Sequence, residues 1–331
     1  MDAVSQGSGS RGVGSTFSDE GALTVGAILA FASFAAFSFS DASVKLIEGT
    51  LSPFESAFFG AVFSLAAVPF LMRPADRISD MVRTSNRLLW LLRFVAFPMG
   101  VMGSVTAFTH LSMAEAFALI FLLPAFVTVM SVIFLKEAVG IRRWSAVAVG
   151  FLGVLIVLRP GFRELSIGHL GAVFAGLGGA ISVISFRAAG PSEKRISLFG
   201  AGTLGGILVC GLAMLPSFQW PDTREWILLG GYGLLAALGN VLLMMAATKA
   251  PATLIGPIQY SQMLWAILLG YLLFADTIDK WILLGIVLIV GSGILTLMRE
   301  RRRGTPLPPP VSVGNNNTAL ALAPDETEDR A

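Results

Sequence analysis

The sequence predicts an all-α polytopic membrane protein of ten transmembrane helices, arranged as two inverted five-helix repeats with both termini cytoplasmic. Three observations predict it. First, 55% of the 331 residues are apolar and only 13% are charged, where soluble domains carry about 45–50% and about 25%. A water-soluble globule could not hide that much hydrocarbon, because much of any globule remains surface. Second, apolar runs of the length that crosses a bilayer, roughly 17–25 residues, follow one another almost without pause. Third, the basic residues segregate between alternate loops as the positive-inside rule requires.

In chain order, residues 1–21 are polar and Gly/Ser-rich, with no basic stretch leading into a short apolar run. They read as a disordered cytoplasmic tail and not as a secretory signal. Spans are expected near 23–46, 54–72, 88–109, 113–135, 144–159, 168–188, 197–215, 226–247, 251–274 and 280–298. The fifth is the shortest, and only a few residues separate the third from the fourth. Residues 301–331 begin basic and continue proline-rich and then acidic, a composition that cannot offset its ordering entropy and reads as disordered. The units are therefore a tail (1–21), a first repeat (22–160), a second repeat (161–300) and a second tail (301–331).

With the N-terminus inside, 17 of the 23 Lys and Arg fall in cytoplasmic segments, among them Arg73, Arg77, Arg83 and Arg87. Four (Arg159, Arg163, Arg224 and Lys280) fall outside, and Lys45 and Arg93 lie within spans. An odd number of spans would destroy this bias. The formal charge of +2 gives no footprint for nucleic acid, and the single cysteine, Cys210, can form neither an internal disulfide nor a cysteine-based zinc site. His110 and His169 are the two histidines, and no HExxH, GxSxG, P-loop or spaced acidic pair accompanies them. A membrane-embedded enzyme and ATP-driven transport within this chain are thus disfavoured, no cofactor is implied, and no pore-lining ring suggests a channel.

Two stretches resemble each other, 112–160 and 248–299. Each opens with small residues, passes a proline, runs apolar to an acidic residue, resumes with glycines and ends on Arg. Five spans per repeat is odd, so the halves must be inverted, the architecture of secondary transporters with a substrate site where the halves meet. The chain resembles the drug/metabolite transporter superfamily, specifically its EamA branch, over roughly 22–300. The runs from Phe134 to Gly161 and from Gln259 to Trp281 carry the resemblance, with Ala275-Asp276 where the family usually has Glu after the second LLF run; 168–220 matches more weakly. The pattern looks closest to bacterial members that include riboflavin importers. The resemblance implies a bacterial inner-membrane carrier that works by alternating access on a small organic substrate, riboflavin or a similar flat heterocycle. Export of amino acids or drugs and S-adenosylmethionine transport are the alternatives.

Ionisable groups inside a membrane helix cost about 2.5–3.5 kcal/mol on insertion scales, so each needs a partner, a wet cavity or the interface. Asp41 and Lys45 share a helical face and form either a self-neutralising pair or a cavity wall with both signs. Lys45 and Arg93 can also snorkel; Arg93 otherwise binds an anion or holds a gate. Glu115 can cap its helix or pair with His110 as a proton-sensitive site. Gln259, Tyr260, Ser261 and Gln262 follow Pro257, and Gln259, Gln262 and Trp265 share an i, i+3 face suited to a planar hydrogen-bonding ligand. Interhelical glue is the other reading of those amides, and of Asn240. Pro98, Pro124 and Pro257 are kinks or hinges. The stripes Gly171-x-x-x-Ala175 and Gly202-x-x-x-Gly206 serve contacts within the bundle or in a homodimer. Glu137, with Arg142 or Arg143, and Asp276 are expected to anchor loops.

Overall fold

A computed structural model describes residues 13–47, 49–72, 76–136, 139–158, 164–189, 193–250, 254–255, 258–277 and 279–301. The expected tail from residue 302 onward, Glu137 and Pro257 lie outside the described residues, as do the side chains of Arg142 and Arg143. Among the described residues every regular element is helical. In chain order these are α1 (Val13–Lys45), α2 (Pro53–Leu71), α3 (Arg87–His110), α4 (Met113–Ile120), α5 (Leu123–Phe134) and α6 (Ile141–Leu158). They continue as α7 (Ile167–Ala189), α8 (Ile196–Ser217), α9 (Thr223–Ala247), α10 (Ser261–Phe274) and α11 (Lys280–Arg301).

Seven helical segments are long and apolar enough to cross a membrane, α4 and α5 counting together as Met113–Phe134. Three shorter apolar helices accompany them: Trp144–Leu158, Ser261–Phe274 and Lys280–Ser292. Large side chains such as Ile28, Phe70, Leu88, Ile133, Leu264 and Tyr271 stand more than half exposed around the bundle, as hydrocarbon contact requires. The helical backbone begins at Val13, ahead of the expected first span, because propagation from a long apolar helix gains one hydrogen bond per added residue.

The proline positions differ in effect. Pro98 sits inside an unbroken α3. Pro124 opens α5 just after the chain breaks at Phe121 and Leu122, the position where its missing N–H is not needed. A π turn at Gly206–Cys210 interrupts α8.

Backbone contact sets the packing of α3 on α7. A Cβ on Gly103 would stand 2.5 Å from the Gly171 carbonyl and 2.7 Å from the Ala175 amide, and one on Gly178 would stand 2.7 Å from the Ala96 carbonyl. The Gly171/Ala175 stripe thus works inside the bundle. Gly202 and Gly206 do the same against the Phe97 ring. Along α1 and α9, Ser33 Oγ donates to Gly239 O at 2.8 Å and Ser40 Oγ to Tyr232 O at 2.6 Å.

Lys136 and Ala275 both adopt left-handed backbone, at φ of 54° and 52°. Each immediately precedes the acidic residue of its stretch, Glu137 or Asp276. A side chain in this conformation costs about 1–2 kcal/mol that glycine avoids. Ala275→Gly should therefore raise the thermal midpoint of the detergent-solubilised protein, by an amount equivalent to about 1 kcal/mol less the glycine's extra unfolded-state entropy. Differential scanning fluorimetry on purified protein reads this directly.

Candidate functional site

Two helix breaks meet at the centre of the bundle. Phe121 ends α4 and Tyr260 caps α10, and their rings stack with centroids 5.5 Å apart and planes 26° from parallel. Both stand sixteen residues before the acidic residue of their stretch. Sequence reasoning singled out Tyr260 but missed Phe121, which that spacing would have found.

Directly after Tyr260 comes a set of buried polar atoms. Gln262 is fully buried, and neither its Nε2 nor its Oε1 has a hydrogen-bond partner. The Ser261 Oγ and Trp265 Nε1 are likewise buried and unpartnered. A buried amide left this way costs about 1–3 kcal/mol, which sets these atoms apart from the hydrogen-bonded polar groups around them. The Trp265 ring is held by Phe31 and Phe39 of α1 at 5.7 and 5.8 Å. Gln262 and Trp265 share a face of α10 as expected. Gln259 lies in the turn before it, its carbonyl accepting from the Gln262 amide at 3.0 Å. Asn240, buried on α9, spends its Nδ2 on the Ala236 carbonyl of its own helix at 2.9 Å.

Several expected partnerships are rearranged. Lys45 does not neutralise Asp41. Its Nζ donates to the Leu111 carbonyl at 2.6 Å, stands 3.6 Å from Asp276 Oδ2 and lies 4.9 Å from the centroid of the Phe274 ring. Asp276 Oδ2 also accepts from the Met113 amide at 3.0 Å, so the loop-anchor role expected of it is present. Lys45 ends α1, and the carbonyl it reaches is the C-cap of α3, a helix end whose last carbonyls lack intrahelical partners and attract a cation.

Arg93 does not snorkel. It is fully buried on α3, its Nε donating to Leu198 O of α8 at 2.8 Å.

Glu115 meets His169 instead of His110. His169 Nε2 is 3.3 Å from Glu115 Oε1, and both side chains are buried. The α4 helix is capped by Ser112, whose Oγ accepts from the Glu115 amide. His110 is exposed, its Nδ1 3.0 Å from both Thr106 O and Thr109 Oγ1. All three line a cavity of about 480 Å³ with Glu164 and Asp279.

Lys45–Asp276, Met113–Asp276, Arg93–Leu198 and Glu115–His169 join the first half of the chain to the second, and two further sets do the same. At the Lys45 end of the bundle, Glu55 closes a capping box with Ser52 and accepts from the Gln219 amide at 3.0 Å. At the Arg93 end, Glu193 Oε2 accepts from the Ser85 amide, the Ser85 hydroxyl and the Asn86 amide at 2.9, 2.5 and 3.2 Å. Beside it, Lys194 Nζ donates to Asp80 Oδ2 at 2.6 Å and lies 3.6 Å from Asp76. The Lys194 hydrogen bond, with that of the Arg77 amide, lowers the Asp80 pKa against the opposing effect of burial. Burial disfavours Glu193 ionisation too, yet the neighbouring Ser197 and Ser85 groups lower its pKa overall.

The sequence pattern of EamA-like transporters matches residues 24–159 and again 166–298. The chain belongs to the EamA-like transporter family. It is 26% identical over 268 residues to an S-adenosylmethionine uptake transporter of Rickettsia conorii, covering 80% of this chain and 89% of that protein. It is 29% identical over 246 residues to a riboflavin transporter of Rhizobium johnstonii, covering 74% and 80% respectively. To a pseudopaline exporter of Pseudomonas aeruginosa it is 29% identical over 284 residues, covering 82% and 95%. One solved crystal structure shares the fold at a TM-score of 0.56 and 17% identity, over 86% of this chain and 99% of that one.

Cross-links between the halves thus stand at both ends of the bundle of this EamA-family transporter. The Lys194–Asp80 contact has a defined pH sense. Asp80's pKa is lowered by folding, so its stabilising contribution is complete above the ordinary carboxylate range and is lost as pH falls through the lowered value. Asp80→Asn should mimic that loss at neutral pH. Hydrogen exchange in 77–86 should speed up in Asp80→Asn and in Lys194→Met alike, and the double variant should add little beyond either.

Proposed function

We propose that this EamA-family protein is an inner-membrane secondary carrier with ten spans, both termini cytoplasmic, and two inverted five-helix repeats around a central site. Helix packing supports the repeat. Exchanging each span for its counterpart five spans on turns the α1–α9 pair into α7–α3, turns α2–α9 into α8–α3, and leaves α6–α11 as itself, and all of these pairs are packed. The same exchange relates Glu55, which holds the segment before α9, to Glu193, which holds the segment before α3. In this reading the two carboxylates belong to alternately opening gates on opposite membrane faces.

The observation that carries the substrate reading is the stacked Phe121–Tyr260 pair beside the unpartnered Gln262 amide, Ser261 hydroxyl and Trp265 indole. Aromatic faces and a few fixed donors and acceptors suit a flat, uncharged heterocycle with hydrogen-bonding edges. Riboflavin fits that description, and a curated relative is named for its transport. Saturable uptake of labelled riboflavin by a riboflavin-auxotrophic bacterium expressing this chain is the expected result. Uptake no greater than with empty vector, from protein present in the membrane, would retire riboflavin and send the same assay to S-adenosylmethionine. Gln262→Ala and Trp265→Ala should each raise the uptake KM with membrane insertion intact. Wild-type kinetics in both variants would remove α10 from the binding site.

A further inference from the structure

Five carboxylates are buried among the described residues: Asp41, Glu55, Asp80, Glu115 and Glu193. Four have partners already named: the Gln219 amide for Glu55, Lys194 for Asp80, His169 for Glu115, and Ser85 with Asn86 for Glu193. Asp41 is the exception. It is 1% exposed and its Oδ2 has no hydrogen-bond partner.

The charges that might have neutralised it are committed elsewhere. Lys45, one turn along α1, is held by Leu111 O and Asp276. On α3, Arg93 donates to Leu198 O and His110 turns to Thr106 and Thr109. Before α10, Tyr260 is stacked on Phe121. From α9, Tyr232 lies near enough to feel the charge of Asp41 and of the Cys210 thiol of α8; neither Tyr232 nor Cys210 brings a positive charge. A bare carboxylate in such a site costs several kcal/mol, and the cheapest relief is a proton.

We propose that Asp41 is the proton-carrying group of this transporter, protonated in the conformation described and ionised when the opposite conformation brings it to water. One proton enters from the solution on one face as the carboxylate becomes a carboxylic acid, and leaves to the other face when the O–H bond breaks again. Tyr232 lines a cavity of about 20 Å³ between α2, α3 and α9, room for about one water. Gly60 permits that placement, since a Cβ there would stand 2.2 Å from the Tyr232 ring. This assignment goes beyond the substrate reading and differs from the Glu115–histidine site expected from sequence.

Two measurements on the full-length protein test it. The first needs no substrate: infrared difference spectra of reconstituted protein across a pH titration. A protonated-carboxyl band present in wild type at neutral pH and absent in Asp41→Asn is expected; an unchanged band, or none in wild type, overturns the proposal. The second uses proteoliposomes and whichever of riboflavin or S-adenosylmethionine is transported. Asp41→Asn should lose accumulation driven by a pH gradient yet keep counterflow exchange at equal pH, and Asp41→Glu should restore part of the driven accumulation. Driven accumulation at the wild-type level in Asp41→Asn overturns it. Loss of both modes in a variant that elutes as a monodisperse peak also overturns it, as a general defect and not one of coupling. Failure of riboflavin transport leaves the infrared outcome standing, so the two readings fail separately.

Discussion

In hydrocarbon a backbone N–H or C=O has no water to fall back on, and an unsatisfied one costs several kcal/mol. That constraint makes every regular element described here a helix, and it makes a broken helix expensive unless protein covers the break. This chain breaks two helices, at Phe121 and before Ser261, and places the breaks against each other. Local backbone hydrogen bonds, Leu122 N–H to Leu119 O and Gln262 N–H to Gln259 O, bridge the breaks, and the rings of Phe121 and Tyr260 stack between them. Irregular chain, aromatic surface and unpartnered polar atoms coincide there. The helix that starts after the second break opens on Ser261 and Gln262, both buried with unpartnered side-chain atoms.

Cross-links between the two halves of the chain form a second layer of organisation. Lys45–Asp276, Glu115–His169 and Glu55–Gln219 lie at one end of the bundle; Arg93–Leu198, Lys194–Asp80 and Glu193–Ser85 lie at the other. Few of them are strong in isolation, and Lys194 is half exposed, where screening leaves an ion pair little net energy. Their value lies in pairing elements that are otherwise joined only by apolar surface. A transporter needs contacts of this modest size, because a lock worth many kcal/mol would fix one conformation.

What was legible in the sequence follows from how local the signal is. Span positions rest on runs of apolar residues; seven of the expected spans carry helices of membrane-crossing length, and the fifth, ninth and tenth carry the shorter apolar helices Trp144–Leu158, Ser261–Phe274 and Lys280–Ser292. The Gly171/Ala175 stripe was readable because small residues four apart mark close helix contact. Charged residues can be paired from sequence only with near neighbours, and two such pairings differ from the structure. Lys45 was matched to Asp41 four residues away, but its carboxylate is Asp276; Glu115 was matched to His110, but its histidine is His169. Spacing along one helix says which residues share a face and nothing about which distant helix covers that face. Arg93 shows the same limit: five residues inside its expected span it looked able to reach the surface, and α8 closes over it. Glu55 was legible in principle from Ser52-x-x-Glu55 before an apolar run, a capping-box signature.

The glycine seam between α3 and α7 has a mechanical consequence. Where Gly103 meets Gly171 and Ala175, backbone lies against backbone with no side-chain layer between. Side chains act as compliant padding, able to change rotamer while two helices slide; bare backbones have no such give. At Gly103, Gly171 and Gly178 the two helices, one from each half, are therefore in contact through their backbones, and a side chain added at any of these positions has to push them apart.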